Sequence, residues 1–171
     1  KLSFFEGGTH VPFLMRWPNR LKAGTRYSHA ISHLDIMPTA LGAASLVPRA
    51  QIIDGVNLLP YLNGQKAGAP HDTLIWREGH YQAVLSDGWK MQRSNNPEKI
   101  RLFNLAQDPF EKKDLSVARG DKLAELNRLL DDHNDQQAEP MWPSNVEIPI
   151  WIDKSLSDQP TLDDDFIYWP N

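Results

Sequence analysis

The stretch KLSFFEGGTH opens the chain and sets a cation, a carboxylate and an imidazole, Lys1, Glu6 and His10, close together. A lysine stays protonated at neutral pH and can donate to an oxyanion, each charge-assisted hydrogen bond being worth about 1.5–3 kcal/mol. At a chain start the same residue also reads as an ordinary solvated lysine. Glu6 can pair with a cation or accept from the backbone around Gly7 and Gly8. His10 titrates near neutrality and could move a proton, or could simply hydrogen-bond at a strand entry. His29 and His33 stand at i, i+4, a spacing that can turn two imidazoles toward a metal from one helix face. Asp35 reads as the start of that helix, after both histidines, which argues against a metal there. Arg77, Glu78 and His80 are the densest polar cluster of the later half, and read either as ligand contacts or as a solvated strand end.

Composition narrows the partners. The chain has 171 residues, a net charge of −4 and no cysteine, with a pI near 5.8. It offers polyanions no general attraction and shows no cluster of Lys and Arg interleaved with aromatics, so nucleic acid is excluded as a partner. A disulfide framework and a thiolate metal site are excluded with the cysteines. No run has the length of a membrane span, and the first residues lack a signal-peptide pattern. The chain starts on Lys and runs straight into apolar residues, which reads as a cleaved product or a piece of something longer.

The elements that must position these residues follow from periodicity. Gly7-Gly8 reads as a tight turn feeding a buried strand through Val11, Phe13, Leu14, Met15 and Trp17. Residues 32–46 (SHLDIMPTALGAASL) predict a helix capped by Asp35, with Pro38 in its first turn and Ile36, Met37, Ala40, Leu41 and Ala44 on a buried face. Asp54-Gly55 marks a turn before the apolar run around Leu58, Leu59 and Leu62, and Gly64 to Pro70 marks a subdomain boundary. From Thr73 the period becomes alternating: residues 73–78, 81–86, 89–93 and 100–105 predict four strands, with Asp87-Gly88 as a hairpin turn and SNNPEK as a polar loop. Residues 121–133 predict a helix capped by Asp121, with Leu123, Leu126, Leu130 and His133 on one face. Beyond Glu139 the prolines argue against regular structure over most of the tail, while Trp142, Trp151, Tyr168 and Trp169 argue that it lies pinned across the body. The domains expected are 1–66, 70–135 and a tail of 136–171, in an α/β to α+β fold.

Several segments, in order, resemble the C-terminal part of a bacterial sulfatase of the arylsulfatase-like, formylglycine-dependent kind. Lys1 followed by Glu6-Gly7-Gly8, His10, Pro12 and Trp17-Pro18 is similar to the family's lysine-bearing segment and the strand after it. Asp35-x-x-Pro38-Thr39 resembles a family helix start, and Asp54-Gly55, Leu59-Pro60, Leu62 and Gly64 the next signature. Asp87-Gly88-Trp89-Lys90 resembles the family hairpin, and Leu102 to Leu105 followed by Asp108-Pro109-x-Glu111-x-x-Asp114-Leu115 the strand and turn before the last helix. The likeness covers residues 1 to about 130. His10 departs from the family's usual arginine, and Asp114 from its usual asparagine.

The resemblance implies the end of an alkaline-phosphatase-like α/β fold, with a small four-stranded antiparallel sheet and one packed helix. It implies hydrolysis of sulfate esters, of a small molecule or a polysaccharide, with a formylglycine nucleophile and calcium or another divalent cation. Lys1 would bind the sulfate, His10 would lie at the active-site edge, and Arg77, Glu78 and His80 would contact substrate beyond the sulfate. The family's Cys/Ser-x-Pro-x-Arg motif does not occur in this chain; Ser45-Leu46-Val47-Pro48-Arg49 comes nearest, with its proline one position late. Nucleophile and metal ligands are therefore expected upstream, no metal is expected in this chain, and the chain alone is expected to be inactive. A phosphonate or phosphodiester hydrolase of the same superfamily, and a non-catalytic carbohydrate-binding or interaction module, are the alternatives. A periplasmic or extracellular place follows from the family only.

Overall fold

The computed structural model describes residues 2–47, 53–138, 141–142, 145–155 and 157–170. In chain order the elements are α1 (Glu6–Thr9), a 3-10 turn (His33–Asp35), α2 (Ile36–Ala43), α3 (Leu59–Leu62), β1 (Thr73–Glu78), β2 (Tyr81–Ser86), β3 (Trp89–Asn95), β4 (Glu98–Asn104), α4 (Gly120–Asn134), β5 (Glu147–Trp151) and β6 (Phe166–Pro170). They fall into two compact units: residues 12–74, and the segment up to Val11 together with everything from Ile75 onward.

The strands of the larger unit form a sheet in the order β1-β2-β3-β4, as the alternating pattern predicts. Asp87 and Gly88 make the β2–β3 turn at φ 49° and 73°, the left-handed region that a tight hairpin demands and that glycine occupies without steric cost. The SNNPEK stretch is not an open loop: β3 and β4 pair out to Asn95 and Glu98, leaving only Asn96-Pro97 at the bend. Register puts Val84, Met91 and Leu102 side by side on one face, where they bury against Leu126 and Leu130 of α4. Burying a side chain of this size contributes about 1.5–3 kcal/mol, so this apolar layer is the main attachment of helix to sheet. Arg93 extends it with polar contacts, donating to Asn127 at 2.8 Å and Asp131 at 2.7 Å. The helix starts at Gly120, and Asp121 is not its cap; its carboxylate instead receives two hydrogen bonds from Arg119.

The opposite face of the sheet is buried as well, but it is polar. Tyr81, Lys90, Gln92, Ser94, Arg101 and Phe103 project there, all nearly or fully inaccessible to water. Two pieces of chain cover them, the N-terminal segment with α1 and the antiparallel hairpin β5–β6. That hairpin corrects the expectation of an irregular tail. Within this hairpin Ile167 is fully buried, and Asp165 receives hydrogen bonds from Lys99 and Arg101.

In the unit of residues 12–74, Ser32 and Asp35 close a capping box, with Ser32 Oγ accepting from Leu34 N–H and the Asp35 carboxylate from Ser32 N–H at 2.8 Å. Asp35 thus ends the 3-10 turn and stands at the N-cap position of α2, as expected, but its carboxylate makes no cap hydrogen bond to that helix. Its buried carboxylate also accepts from Val56 N–H at 2.7 Å and lies 2.8 Å from His71 Nε2, joining three segments at one point. Thr39 extends the tie by accepting from Leu58 N–H at 2.9 Å. These polar contacts decide which side of α2 turns inward, so Pro38 and Thr39 are buried while Ile36 and Met37 remain half exposed, against the face expected from apolar spacing.

The strand expected through residues 11–17 does not form. Glu6-Gly7-Gly8-Thr9 is a single helical turn, and the following residues have no ladder partner among the described residues. Without a partner an extended segment cannot satisfy its backbone groups in a sheet. Val11, Phe13 and Met15 are accordingly left partly exposed and Leu14 almost wholly so.

Candidate functional site

Residues 4–9 are seated on the polar face of the sheet by contacts from several strands. The Phe4 ring stacks on Tyr81 with centroids 4.5 Å apart, and Phe4 N–H donates to the Tyr81 hydroxyl at 3.1 Å. That hydroxyl donates in turn to Gln92 Oε1 at 2.5 Å, and burial pushes its pKa far above the ordinary phenol value. Phe5 packs on Phe103 and lies under the Arg101 guanidinium. Gly8 touches the Ser3 carbonyl so closely that a Cβ there would sit 2.0 Å from its oxygen, so the turn closes only on glycine.

At the centre lies Lys90, wholly buried. Its Nζ is 2.7 Å from Glu6 Oε1, 3.1 Å from Thr9 Oγ1 and 3.3 Å from Glu111 Oε1, with the Trp76 ring on another side at 5.7 Å. A buried ammonium is tolerated only when it is paired and hydrogen-bonded in this way. Glu111 takes the remaining donors around it: Gln92 Nε2 at 3.2 Å and the Glu6 backbone N–H. Burial pushes the Glu111 carboxyl above the ordinary glutamate value, while the Lys90 charge and the Glu6 N–H pull it back part of the way. Glu111 also sits at φ 54°, a conformation costing a residue with a Cβ roughly 1–2 kcal/mol.

The residues singled out from sequence are distributed unevenly about this centre. Lys1 lies outside the described residues. His10 ends α1, and its imidazole is mostly exposed with Nδ1 3.0 Å from Glu6 Oε2, so it joins the outer edge of the Lys90 network. Arg77 and Glu78 end β1, half-buried, and His80 occupies the turn into β2. His80 Nε2 comes within 3.3 Å of Glu147 Oε1 on β5, without hydrogen-bond alignment. His29 packs beside the Tyr27 ring, and His33 falls in the 3-10 turn.

Among the described residues no group of three or more His, Cys, Asp or Glu is placed to hold a metal ion. These residues do not supply a divalent-cation site, and Lys90, paired with two carboxylates, is not available to an external anion. What they build is a rigid frame around the first residues of the chain. Lys90, Gln92, Tyr81 and Glu111 escaped the sequence reading as functional candidates. For Lys90 and Gln92 the one signal was the polar alternation in WKMQRSN, which reads equally as a solvated face, and Tyr81 and Glu111 carried none.

The chain is similar in fold, over 60% of its length and 24% of that chain, to a solved putative sulfatase of Bacteroides thetaiotaomicron, with 25% identity and a TM-score of 0.52. More narrowly, the chain belongs to the family of the C-terminal region of N-sulphoglucosamine sulphohydrolase, whose model matches residues 1–139. The uncharacterized sulfatase YdeN of Escherichia coli is 44% identical over 77 residues, covering 44% of this chain and 14% of that protein. Human arylsulfatase K is 32% identical over 145 residues, covering 77% of this chain and 26% of its own length. The solved structure of Ps i-CgsB in complex with k-i-k-neocarrahexaose is similar over 74% of this chain and 29% of that one, with 28% identity and a TM-score of 0.60. The chain thus spans less than a third of the relatives it matches. Among the described residues, no helix is long and apolar enough to cross a membrane.

Proposed function

We propose that this chain is the C-terminal part of an enzyme that hydrolyses sulfate esters of a carbohydrate, and that it contributes the sulfate-binding lysine, Lys1. The observation that carries this reading is that the family match spans residues 1–139, so Lys1 falls inside the matched range. A carbohydrate substrate is favoured by the oligosaccharide bound to Ps i-CgsB, a protein that 74% of this chain resembles over 29% of that protein's length. Formylglycine as nucleophile and calcium or another divalent cation, both supplied by residues upstream, complete the proposal; the cation would supply Lewis-acid stabilisation of the sulfate oxygens. Within this chain, Lys1 holds a sulfate oxygen as negative charge develops, a task in which a single pre-placed donor is worth about 10²–10³ in rate. His10 borders the site, and Arg77, Glu78 and His80 face the saccharide beyond the sulfate. A periplasmic or extracellular location belongs to the same reading.

The experiment is sulfate release from an aryl sulfate and from sulfated oligosaccharides by the complete protein and its Lys1→Ala variant. The variant should lose about 10²–10³ in kcat/KM on every substrate, as removal of a charge-stabilising donor does elsewhere. Turnover unchanged by the substitution would overturn the role of Lys1, and no sulfate release from any substrate by the complete protein would overturn the reaction.

A further inference from the structure

The buried network under the N-terminal segment contains more polar matter than attachment alone requires. An apolar residue at position 90 would seat α1 on the sheet at lower cost, since replacing a buried ion pair by well-packed apolar groups is often neutral or stabilising. Instead the face carries an ammonium, two carboxylates, an amide and a phenol, each with a defined partner in residues 4–9 or in its neighbour. Glu111 reaches its place only by adopting a left-handed backbone. Such strain and such burial of charge persist where they fix a geometry.

The geometry fixed is that of Phe4, Glu6 and Thr9. Phe4 is held through its ring and its N–H, Glu6 through its carboxylate and its N–H, and Thr9 through its hydroxyl. Lys1 precedes the first of these anchors by three residues. Three residues of extended chain span about 10 Å at most, so the anchors set an upper bound on how far from Phe4 the chain can carry a group at position 1.

We propose that Lys90, held between Glu6 and Glu111, is a positioning residue for Lys1: it locks residues 4–9 on the sheet and thereby sets where the lysine ammonium meets the sulfate. The inference rests on the reading of Lys1 as the sulfate ligand. Tyr81 shares the task through Phe4. Neither side chain touches substrate; both act by restricting the segment that carries the group that does. Misplacing a reacting or binding group by about 1 Å can cost on the order of 10²-fold in rate, so loosening the anchors has a kinetic consequence distinct from unfolding.

The test is a double-mutant cycle in the complete protein between Lys1→Ala and Lys90→Met, with Tyr81→Phe, which keeps the ring stack, as a milder second arm. Three readouts are taken: kcat and KM on an aryl sulfate, competitive inhibition by inorganic sulfate, and thermal unfolding. With Lys1 present, Lys90→Met should lower kcat/KM about 10–100-fold and weaken inhibition by sulfate in parallel. In the Lys1→Ala background the further loss should shrink to about twofold or less, because coupled sites are non-additive. Equal fold losses in both backgrounds, or sulfate inhibition that does not change, would overturn the positioning role while leaving Lys1 as ligand intact. An inert Lys1→Ala substitution would overturn both. If Lys90→Met does not fold, the same cycle with Tyr81→Phe decides, an additive result again overturning the proposal.

Discussion

Glu111 shows how one side chain can be held in a state it resists. Its carboxyl is nearly inaccessible to water, and burial raises its pKa; the Lys90 charge and the Glu6 N–H offset only part of that rise. The folded protein therefore binds the Glu111 proton more tightly than the unfolded chain does. Across the window between the ordinary glutamate value and the raised one, stability attributable to this group falls as pH rises. It is fully present below the unfolded pKa and lost above the folded one. A Glu111→Gln variant has no proton to lose at this position. The difference in unfolding free energy, wild type minus variant, should therefore decrease as pH rises above the ordinary glutamate value in denaturant titrations. A difference that grows with pH would mean that Lys90 stabilises the ionised carboxylate more than burial penalises it. Lys90 was legible in the sequence only as part of a hairpin motif, and Glu111 only as part of a turn. Nothing local tells a buried lysine from a solvated one, because its partner carboxylates lie 84 residues before it and 21 after it in the chain.

At the scale of elements, the C-terminal hairpin depends on a few attachments. Ile167 is its buried anchor, Asp165 receives hydrogen bonds from Lys99 and Arg101, and Glu147 accepts from Asn96 Nδ2 at 2.7 Å. Burial pushes the Asp165 carboxyl up, but the hydrogen bonds and charges of Lys99 and Arg101 outweigh it and hold the group below the ordinary aspartate range. Its contribution is thus present above the unfolded aspartate pKa and is lost as pH falls through the depressed folded value. Asp165 is more than a third exposed, so solvent screening limits each pair to roughly 0.2–1 kcal/mol. Asp165→Asn should accordingly speed hydrogen exchange at β6 amides several-fold while leaving β2 and β3 protected; uniform acceleration across the sheet would show that the hairpin is integral to the core. β1 to β4 and α4 were readable in the sequence because alternation, the Asp87-Gly88 turn and helical leucine spacing all agree. The β5–β6 hairpin was not, since its strands are separated by a long connection and β5 carries Pro149, tolerable only where the ladder leaves its nitrogen unneeded. The segment at residues 11–17 erred in the other direction. Its composition specifies a strand, but a strand requires a neighbour that the described residues do not contain.

At the scale of the whole chain, the open apolar side chains gather in one unit. In the unit of residues 12–74, Phe13, Met15, Trp17, Ile36, Ala40 and Leu58 line an apolar groove, and Leu14 and Met37 lie exposed beside the residues that line it. Side chains of this kind are ordinarily turned away from water. The relatives are three to seven times longer than the part they share with this chain, since coverage of their own lengths runs from 14% to 30%. On the proposed reading, an upstream α/β portion covers this groove. The 171-residue chain produced by itself should therefore bind a hydrophobic dye such as ANS and self-associate, and should release no sulfate from an aryl sulfate. The larger unit, with its two-sided sheet and α4, should still melt cooperatively, because its apolar layer and polar layer are both complete. Joining the upstream portion should abolish dye binding and raise the melting temperature of residues 12–74 into the same transition. A monodisperse monomer that excludes the dye would show that this face needs no cover. Aryl sulfate turnover by the isolated chain would show that nucleophile and cation site lie within it.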